Sequence, residues 1–381
     1  MPGKHVPQDA AAAGQLCRRC RTSEASLVVR TEPLCRDCFI RYVSTKAVKR
    51  MESFRVRHST PDQTRKLLLP MSFGVSSVTL LHILDYQLKN QTAKTGRTGF
   101  QLLVVHIDTS AVEKNAPDPS FMSKLQARFK DHSYATVPLK DVFETPSSYS
   151  NDQNIEVDPT PTSDQLSTFL ATLPSATALA DVLSTLRTRL LVAYARQHGC
   201  EAILWGDSTT RLAEKTLSET AKGRGFALPW SIADGQTPAG IPSNYPLRDL
   251  LKKELTSHAN FVNPPLTEVV YAPEPTGPVS TSSKTTTIDD LMKAYFESVE
   301  ENYPSIVANV VRTATKLDAA KFEEGDERCS LCGMPVPDGK FGIHGWGGDQ
   351  HDVQGVSPGE QTEALCYGCT RSVPKGTTLP S

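Results

Sequence analysis

The sequence lacks any apolar run of the ~20 residues that a membrane-spanning helix needs, although hydrophobic residues make up 38% of its 381 residues. Its first letters, MPGKHVPQDAAAAGQ, contain no apolar core of the kind that directs secretion. We therefore expect a cytoplasmic protein that binds no membrane and whose thiols stay reduced. Between Cys38 and Cys329 the chain has one cysteine, Cys200, so its middle has no cysteine pair to carry sulfur or hold a cluster.

Cysteines are concentrated at the two ends of the chain, where eight of them form four Cys-x-x-Cys pairs. Two intervening residues let both thiolates of a pair reach one ion at ~2.3 Å. The 14 residues between the N-terminal pairs are close to the spacing of four-cysteine zinc sites. Free or redox-active thiols and an iron–sulfur cluster are the alternatives. The sequence predicts two structural zinc sites, formed by Cys17, Cys20, Cys35 and Cys38 and by Cys329, Cys332, Cys366 and Cys369.

The C-terminal site has a less regular spacing, because 33 residues separate its two pairs. Gly333 follows the second cysteine and would permit a tight turn there. His344 and His351 lie within the gap, but four cysteines already complete a tetrahedral site, so we interpret both histidines as loop residues. Cys200 precedes the apolar strand EAILWGD. We interpret it as a buried structural thiol, and a catalytic thiol is the alternative.

Alternating strand and helix patterns fill the region between the cysteine pairs. RKLLL and FQLLVVHID are apolar on successive residues, as buried parallel strands are, and a helix is predicted between them at Ser77–Lys89. A long helix, Ala178–Gly199, is followed by the strand EAILWGD. This order predicts an α/β fold with a Rossmann-like parallel sheet and right-handed crossovers.

Composition divides the chain into several parts. A stretch rich in Pro, Ser, Asn and Asp predicts an exposed insertion at 144–165, and a second stretch rich in Pro, Ser and Thr predicts a flexible linker. Helical patterns follow the linker. The predicted division is an N-terminal zinc module with a basic helix at 1–60, an α/β domain at 61–270, the linker at 271–287, a helical segment at 288–327 and a C-terminal zinc module at 328–381.

Charge is distributed unevenly, which matters more than the net charge of −1. Residues 17–66 contain 13 lysines and arginines against five acidic residues, so this segment is the candidate surface for a polyanion. Tyr42 and Phe54 lie among the cations and would suit base stacking. A solvated helix face is the alternative. The predicted RNA contacts of this first basic group are Lys46, Lys49, Arg50, Arg55, Arg57, Arg65 and Lys66.

A second basic group follows the strand EAILWGD, at the strand end where open α/β sheets place their ligands. It consists of Arg211, Lys215, Lys222 and Arg224. Arg224 lies between two glycines and is predicted to reach a phosphate of RNA or ATP. The alternative is that KGRG is only the turn that ends a helix.

The first strand leads into the loop Ser72-Phe73-Gly74-Val75-Ser76-Ser77. This loop is similar to the SGGxDS pyrophosphate-binding loop (PP-loop) of adenylating nucleotide hydrolases, with Phe73 in place of a glycine and Ser76 in place of the acidic residue. Both changes weaken the grip of the loop on pyrophosphate and metal, so we predict no turnover. The candidate nucleotide-binding residues Ser72, Gly74, Ser76 and Ser77 retain hydrogen-bonding groups, which leaves ATP binding open.

The chain also contains the segments PLCRDCFIRYVSTKAVKRM, WGDSTTRLAEKTL and AKGRGFALPW. With these segments in this order along nearly its whole length, the chain resembles the second subunit of the eukaryotic cytoplasmic tRNA 2-thiolation complex. The resemblance implies a PP-loop domain of the adenine nucleotide alpha hydrolase type and a heterodimer with a catalytic sister subunit. It also implies 2-thiolation of the wobble uridine of the tRNAs for lysine, glutamate and glutamine. Sulfur would come from the thiocarboxylated ubiquitin-related modifier of the urmylation pathway.

The chain departs from the catalytic sister of that family, which needs central cysteines for the sulfur chemistry. We therefore expect a non-catalytic subunit that recruits tRNA through its basic groups. A self-sufficient ATP-dependent tRNA thiolase or adenylase is one alternative, and it would need Cys200 as sulfur carrier and a working loop. A zinc-dependent scaffold without a role in RNA binding is the other.

Overall fold

The computed structural model describes residues 14–59, 65–143, 163–272, 285–319, 326–336, 364–374 and 376–380. Its strands are β1 Leu27–Val29, β2 Glu32–Leu34, β3 Lys66–Pro70, β4 Gln101–Asp108, β5 Ser133–Pro138, β6 Ala202–Leu204 and β7 Ser243–Asn244. Its helices are α1 Arg36–Arg50, α2 Val75–Thr95, α3 Ser120–Arg128, α4 Ser163–Ala171, α5 Ala176–Gln197, α6 Thr209–Ala221, α7 Leu228–Ile232, α8 Lys252–Phe261, α9 Ile288–Asn302, α10 Pro304–Ala314 and α11 Tyr367–Ser372. No helix in these ranges has both the length and the apolar character needed to cross a membrane.

Five of the strands form one parallel sheet in the order β5-β4-β3-β6-β7, which confirms the predicted α/β class. Leu67, Leu68 and Leu69 of the central strand β3 are completely buried, because Leu67 and Leu69 pack into one apolar core and Leu68 into a second. The strand order reverses beside β3, which has β4 on one side and β6 on the other. Parallel sheets bind ligands beyond the strand ends at such a reversal, and the loop between β3 and α2 lies there.

Local sequence accounts for the ends of the main helices. Helix α2 begins after Gly74 and ends at Gly96, whose φ of 72° provides a left-handed cap. Helix α5 begins after Ser175, whose hydroxyl accepts a hydrogen bond from the amide of Ala178 at 3.1 Å. Helix α4 was not predicted and begins at Ser163, so the predicted insertion ends too late. Its residues 144–162 lie outside the described part of the chain.

The N-terminal module is packed against the α/β domain through helix α8. Phe39 on α1 meets Phe261 edge to face, with the ring centroids 5.8 Å apart. Arg36 donates a hydrogen bond to the carbonyl oxygen of Phe261 at 2.5 Å. Phe39 and Leu34 also share one apolar core with Leu67 of β3. The hairpin β1–β2 and helix α1 are therefore continuous with the main core.

Helices α9 and α10 pack on helix α6, where the predicted helical segment meets the α/β domain. Thr210 on α6 donates a hydrogen bond to a carboxylate oxygen of Glu300 on α9 at 2.6 Å. The backbone amide of Lys253 donates to the other oxygen at 2.8 Å, so the buried Glu300 has partners on both oxygens. Phe296 and Leu212 are completely buried in the same contact, and this contact fixes α9 and α10 beside α8.

The C-terminal module contacts a buried ion pair between helix α5 and the turn after α6. The carboxylate of Asp181 accepts hydrogen bonds from both terminal nitrogens of Arg224, at 2.5 and 2.6 Å. Ser372 on α11 donates to the same carboxylate at 2.7 Å. Burial alone would raise the pKa of Asp181, but the hydrogen bonds and charge of Arg224 outweigh it and hold that pKa below its usual value. Asp181 and Arg224 are 2% and 4% exposed.

The same junction leaves no room for a side chain at Gly368. A Cβ atom at that position would overlap Cγ of Arg224. Arg189 on α5 also donates to the carbonyl oxygens of Ser330 at 3.3 Å, Leu331 at 3.5 Å and Pro380 at 3.0 Å. Two buried arginines therefore hold the C-terminal module against the sheet.

Replacing Asp181 by alanine should destabilise the protein by about 3–5 kcal/mol, because the Arg224 guanidinium then stays buried without its carboxylate. Asp131 provides the control: its side chain is 66% exposed and lies 3.4 Å from the exposed Lys89, so its replacement by alanine should cost less than about 1 kcal/mol. Urea unfolding of the full-length variants measures both free energies. Equal losses would mean that the Asp181–Arg224 pair does not hold the module in place.

Candidate functional site

The four N-terminal cysteines converge on one point. Their sulfur atoms all lie within 4.8 Å of one another, and Sγ of Cys20 is 3.8 Å from Sγ of Cys35. Four thiolates arranged tetrahedrally at ~2.3 Å from an ion would lie ~3.8 Å apart, whereas a disulfide needs ~2.05 Å. Cys17 and Cys20 flank a tight turn, and Cys35 and Cys38 open helix α1. The arrangement fits one metal ion held by four thiolates.

The C-terminal cysteines repeat this arrangement. Sγ of Cys332 lies 3.6 Å from Sγ of Cys366, and all four sulfur atoms are again within 4.8 Å of one another. Gly333 has φ of 69° and its amide donates to the carbonyl oxygen of Cys329 at 2.8 Å, so this glycine makes the predicted tight turn. Arg224 donates to Sγ of Cys369 at 3.4 Å, as neighbours of metal-bound thiolates do. His344 and His351 lie outside the described residues.

The loop after β3 keeps a turn that normally requires glycine. Phe73 has φ of 57°, a left-handed conformation that costs an ordinary residue ~1–2 kcal/mol. Its ring is 1% exposed and lies 4.8 Å from the ring of His106 and 6.0 Å from that of Phe121, measured between centroids. The side chain thus points into the core, and its packing there offsets the strain.

The hydroxyl groups of the loop are bonded largely to one another. The oxygens of Ser72 and Ser77 are 3.2 Å apart, and Ser77 donates to the carbonyl oxygen of Gly74 at 3.0 Å. Ser77 is buried, while Ser76 is partly exposed. A Cβ atom at Gly206, just after β6, would lie 2.9 Å from Cα of Ser77. The four candidate nucleotide-binding residues therefore lie together in a tight loop in which the Ser72 and Ser77 hydroxyls are paired, while the first amides of α2 keep no acceptor within the helix.

Cys200 lies between helix α5 and strand β6 and is 9% exposed. Burial raises the pKa of its thiol, against a smaller lowering by the charge of Lys66. A thiol with a raised pKa is a poor nucleophile at neutral pH. The structure thus favours the structural interpretation of Cys200.

Three members of the first basic group lie on the last turns of α1. Lys46 donates to the carbonyl oxygen of Asp249 at 3.1 Å and lies over the ring of Tyr42. Arg50 contacts the carboxylate of Asp249 at 2.8 Å. Lys49 is exposed and has neither an ion pair nor a hydrogen bond from its side chain within the described part of the chain. All three side chains line one cleft.

The other four members contact partners in the chain itself: Arg55 and Arg57 contact Glu52, Arg65 contacts Glu201, and Lys66 contacts the carbonyl oxygen of His198. Exposed ion pairs of this kind contribute only ~0–1 kcal/mol, so a phosphate can compete for Arg57. Phe54 was expected to stack on a base. It is instead buried against Phe100, with the ring centroids 6.3 Å apart.

The second basic group is divided by the fold. Arg211 and Lys215 lie on α6, with Arg211 exposed and 3.0 Å from Glu214. We expected Lys222 and Arg224 to contact tRNA. The structure argues against this, because both side chains are buried in ion pairs with Asp181. The sequence already offered this alternative, because KGRG is also typical of a turn that ends a helix.

The fold brings three further arginines to the cleft beside α1. Arg30 lies at the tip of the hairpin β1–β2 with φ of 61°, Arg248 precedes α8, and Arg312 lies on α10. None of the three was among the predicted contacts. Arg248 and Arg312 lie in no local run of positive charge, and Arg30 lies within the basic segment 17–66 but apart from its cluster of cations. The cleft has a volume of about 620 Å³, and we call it the basic cleft. Its cationic lining residues are Arg30, Lys46, Lys49, Arg50, Arg248 and Arg312.

Known proteins match this chain over its full length. A protein of Phaeosphaeria nodorum described as Cytoplasmic tRNA 2-thiolation protein 2 is 56% identical, and the match covers 100% of both chains. The chain belongs to the cytoplasmic tRNA 2-thiolation protein 2 family. Another member, from Pyrenophora tritici-repentis, is 51% identical over 99% of both chains. The sequence profile of the family matches residues 287–343, which include α9 and α10.

A solved structure shares the fold of this family member. The U34-tRNA thiolase NcsA from Methanococcus maripaludis, determined with its [4Fe-4S] cluster, superimposes with a TM-score of 0.55 and 14% sequence identity. The match covers 86% of this chain and 94% of that one. It establishes the PP-loop type of α/β fold for the chain. Within the described residues, the two four-cysteine groups are the candidates for holding a metal ion.

At position 73 a glycine should destabilise the protein less than an alanine does, which is the reverse of their usual order. Loss of the buried ring costs ~3–5 kcal/mol, but glycine adopts a φ of 57° without strain, whereas alanine retains a penalty of ~1 kcal/mol. The Phe73→Gly variant should therefore be less destabilised than the Phe73→Ala variant in urea unfolding. A more stable alanine variant would show that the loop does not hold this left-handed turn.

Proposed function

We propose that this chain is the non-catalytic subunit of the cytoplasmic complex that 2-thiolates the wobble uridine of the tRNAs for lysine, glutamate and glutamine. It would act as a heterodimer with a catalytic PP-loop sister subunit, which transfers sulfur from a thiocarboxylated ubiquitin-related modifier. Membership of the family supports a role in tRNA thiolation. The shared fold supports descent from a nucleotide-binding domain. The proposed task of this subunit is to bind tRNA for its partner.

The packing of Phe73 is the observation that carries the non-catalytic assignment. An adenylating loop presents amides and hydroxyls to pyrophosphate; here a phenylalanine packed in the core takes the place of a glycine, and the Ser77 hydroxyl bonds to the carbonyl oxygen of Gly74. Ser76 also replaces a carboxylate that would organise a metal. Cys200 is buried with a raised pKa, which argues against the alternative of a self-sufficient thiolase.

We also propose that both four-cysteine groups hold zinc as a structural ion. A tetrahedral set of four thiolates suits zinc or an iron–sulfur cluster, and a site whose four positions are all filled by protein has no place for a substrate. When bound, the ion cross-links its module. Cys35 and Cys366 immediately precede helices α1 and α11. The ion would therefore fix these two helices to the turns formed by the other cysteine pairs.

Metal analysis tests this assignment. The purified full-length chain should contain about two zinc ions, and each structural site is worth ~10 kcal/mol or more to the folding of its module. The double variant Cys17→Ser/Cys20→Ser should lose one ion, because two thiolates no longer hold it. Cys200→Ala serves as the control and should keep both. Iron with acid-labile sulfide in place of zinc would contradict the proposal.

Reconstitution with the partner tests the division of labour. The chain alone should neither exchange pyrophosphate into ATP nor thiolate tRNA, whereas the complex should need it to form 2-thiouridine. Cys200→Ala should leave thiolation by the complex within about twofold of wild type, because the thiol is buried and carries no sulfur. Mass spectrometry of tRNA nucleosides measures the product. A large loss with a folded Cys200→Ala variant would restore Cys200 as a sulfur carrier, and unchanged thiolation without the chain would refute the proposed function.

A further inference from the structure

We propose that the basic cleft binds the phosphate backbone of tRNA, with Lys49 and Arg312 as its two principal contacts. The inference rests on the proposed function and extends it from a basic segment of sequence to a defined site. The cleft lies between the hairpin β1–β2, the end of α1, the segment before α8, and α10. Its volume of about 620 Å³ is in the range of ligand sites in proteins.

The balance of charge in the basic cleft favours an anion. Six cations line it, and Asp249 is the one carboxylate among the described lining residues. Asp234 lies just behind, 3.5 Å from both Arg50 and Arg248. Glu254 lies 3.9 Å from Arg30, so three carboxylates oppose the six cations and leave an excess of positive charge. A concave surface of one sign concentrates its field on a ligand.

Lys49 and Arg312 are the cations most available to a ligand. Both are exposed, and neither side chain has an ion pair or hydrogen bond to another described residue. Lys49 lies on α1 and Arg312 on α10, so a backbone phosphate between them would be held from two elements. Arginine binds phosphate through two parallel hydrogen bonds, whereas Arg30 and Arg248 already contact Asp249 and Asp234 and add positive charge to the lining.

The chain itself supports the lining of the cleft. The hydroxyl of Thr209, which also lines it, donates to the carbonyl oxygen of Arg248 at 2.7 Å. Arg30 adopts a left-handed conformation at the hairpin tip and donates to the carbonyl oxygen of Asp249 at 3.2 Å. These contacts fix the backbone at Arg248 and Asp249 and the side chain of Arg30, as expected for a preorganised site.

The position of the cleft connects it with the loop after β3. Gly206 lies against Ser77 of the loop, and Thr209 follows three residues later. Three residues span at most ~11 Å, so a phosphate in the cleft would lie close to the end of the sheet at which PP-loop proteins act. Because phosphate contacts carry no base information, the cleft would bind several tRNAs equally well.

The test compares two charge-reversed variants of the full-length, metal-loaded chain. Lys49→Glu/Arg312→Glu removes both proposed contacts, and Lys94→Glu/Lys293→Glu changes the net charge equally at exposed lysines outside the cleft. The probe is a labelled, unmodified transcript of a glutamate tRNA, titrated at several salt concentrations. The cleft variant should lose about tenfold or more in affinity, and the slope of log affinity against log salt should flatten by about two units. The control should match wild type.

Each further outcome has a distinct meaning. Equal affinity and slope for the two variants would overturn the basic cleft as the tRNA site, while the proposed function would fail only if the complex thiolated tRNA without this chain. Millimolar ATP provides the second arm. If the cleft variant lost binding of ATP but kept that of tRNA, the cleft would be a nucleotide site and the inference would be wrong.

Discussion

Neither cysteine module has enough apolar residues for a core of its own, and this constraint determines how the two ends of the chain are built. The hairpin β1–β2 has three residues in each strand, and an isolated hairpin of that size is marginal in water. A four-thiolate site closes each module internally, and packing on the α/β domain stabilises it externally. At the N-terminus Phe39 fills this role against Phe261, and at the C-terminus Arg224 and Arg189 do so.

The loop after β3 keeps a left-handed turn but places a buried aromatic side chain in it. The left-handed turn and the glycine at the start of α2 are both retained, because the connection from strand to helix depends on them. Phe73 then adds buried aromatic contacts with His106 and Phe121 at a place where a nucleotide-binding loop has only backbone. The loop gains packing from this ring, and β3 keeps its place in the centre of the sheet.

Sequence analysis succeeded where the signal was local. Apolar runs predicted the parallel sheet, and paired cysteines predicted both thiolate clusters, because each of these patterns is contained in a few neighbouring residues. It failed where long-range packing decides. Lys222 and Arg224 look like a basic surface in the sequence, yet their partner Asp181 is about 40 residues away. Conversely, Arg248 is held at the basic cleft by Thr209, and Arg312 comes there from far along the sequence because α10 packs on α6.

The contact between Arg224 and the backbone at Gly368 has a consequence for how this family can vary. Any side chain at position 368 would occupy the space of the Arg224 stem, whereas in a chain that had first lost the arginine the carbonyl oxygen of Lys222, 3.1 Å from that Cβ, would be the remaining close contact. The effect of a substitution at one position therefore depends on the residue at the other, and their energies should not add. The two positions are epistatic, and the order in which they change decides whether the intermediate sequence folds.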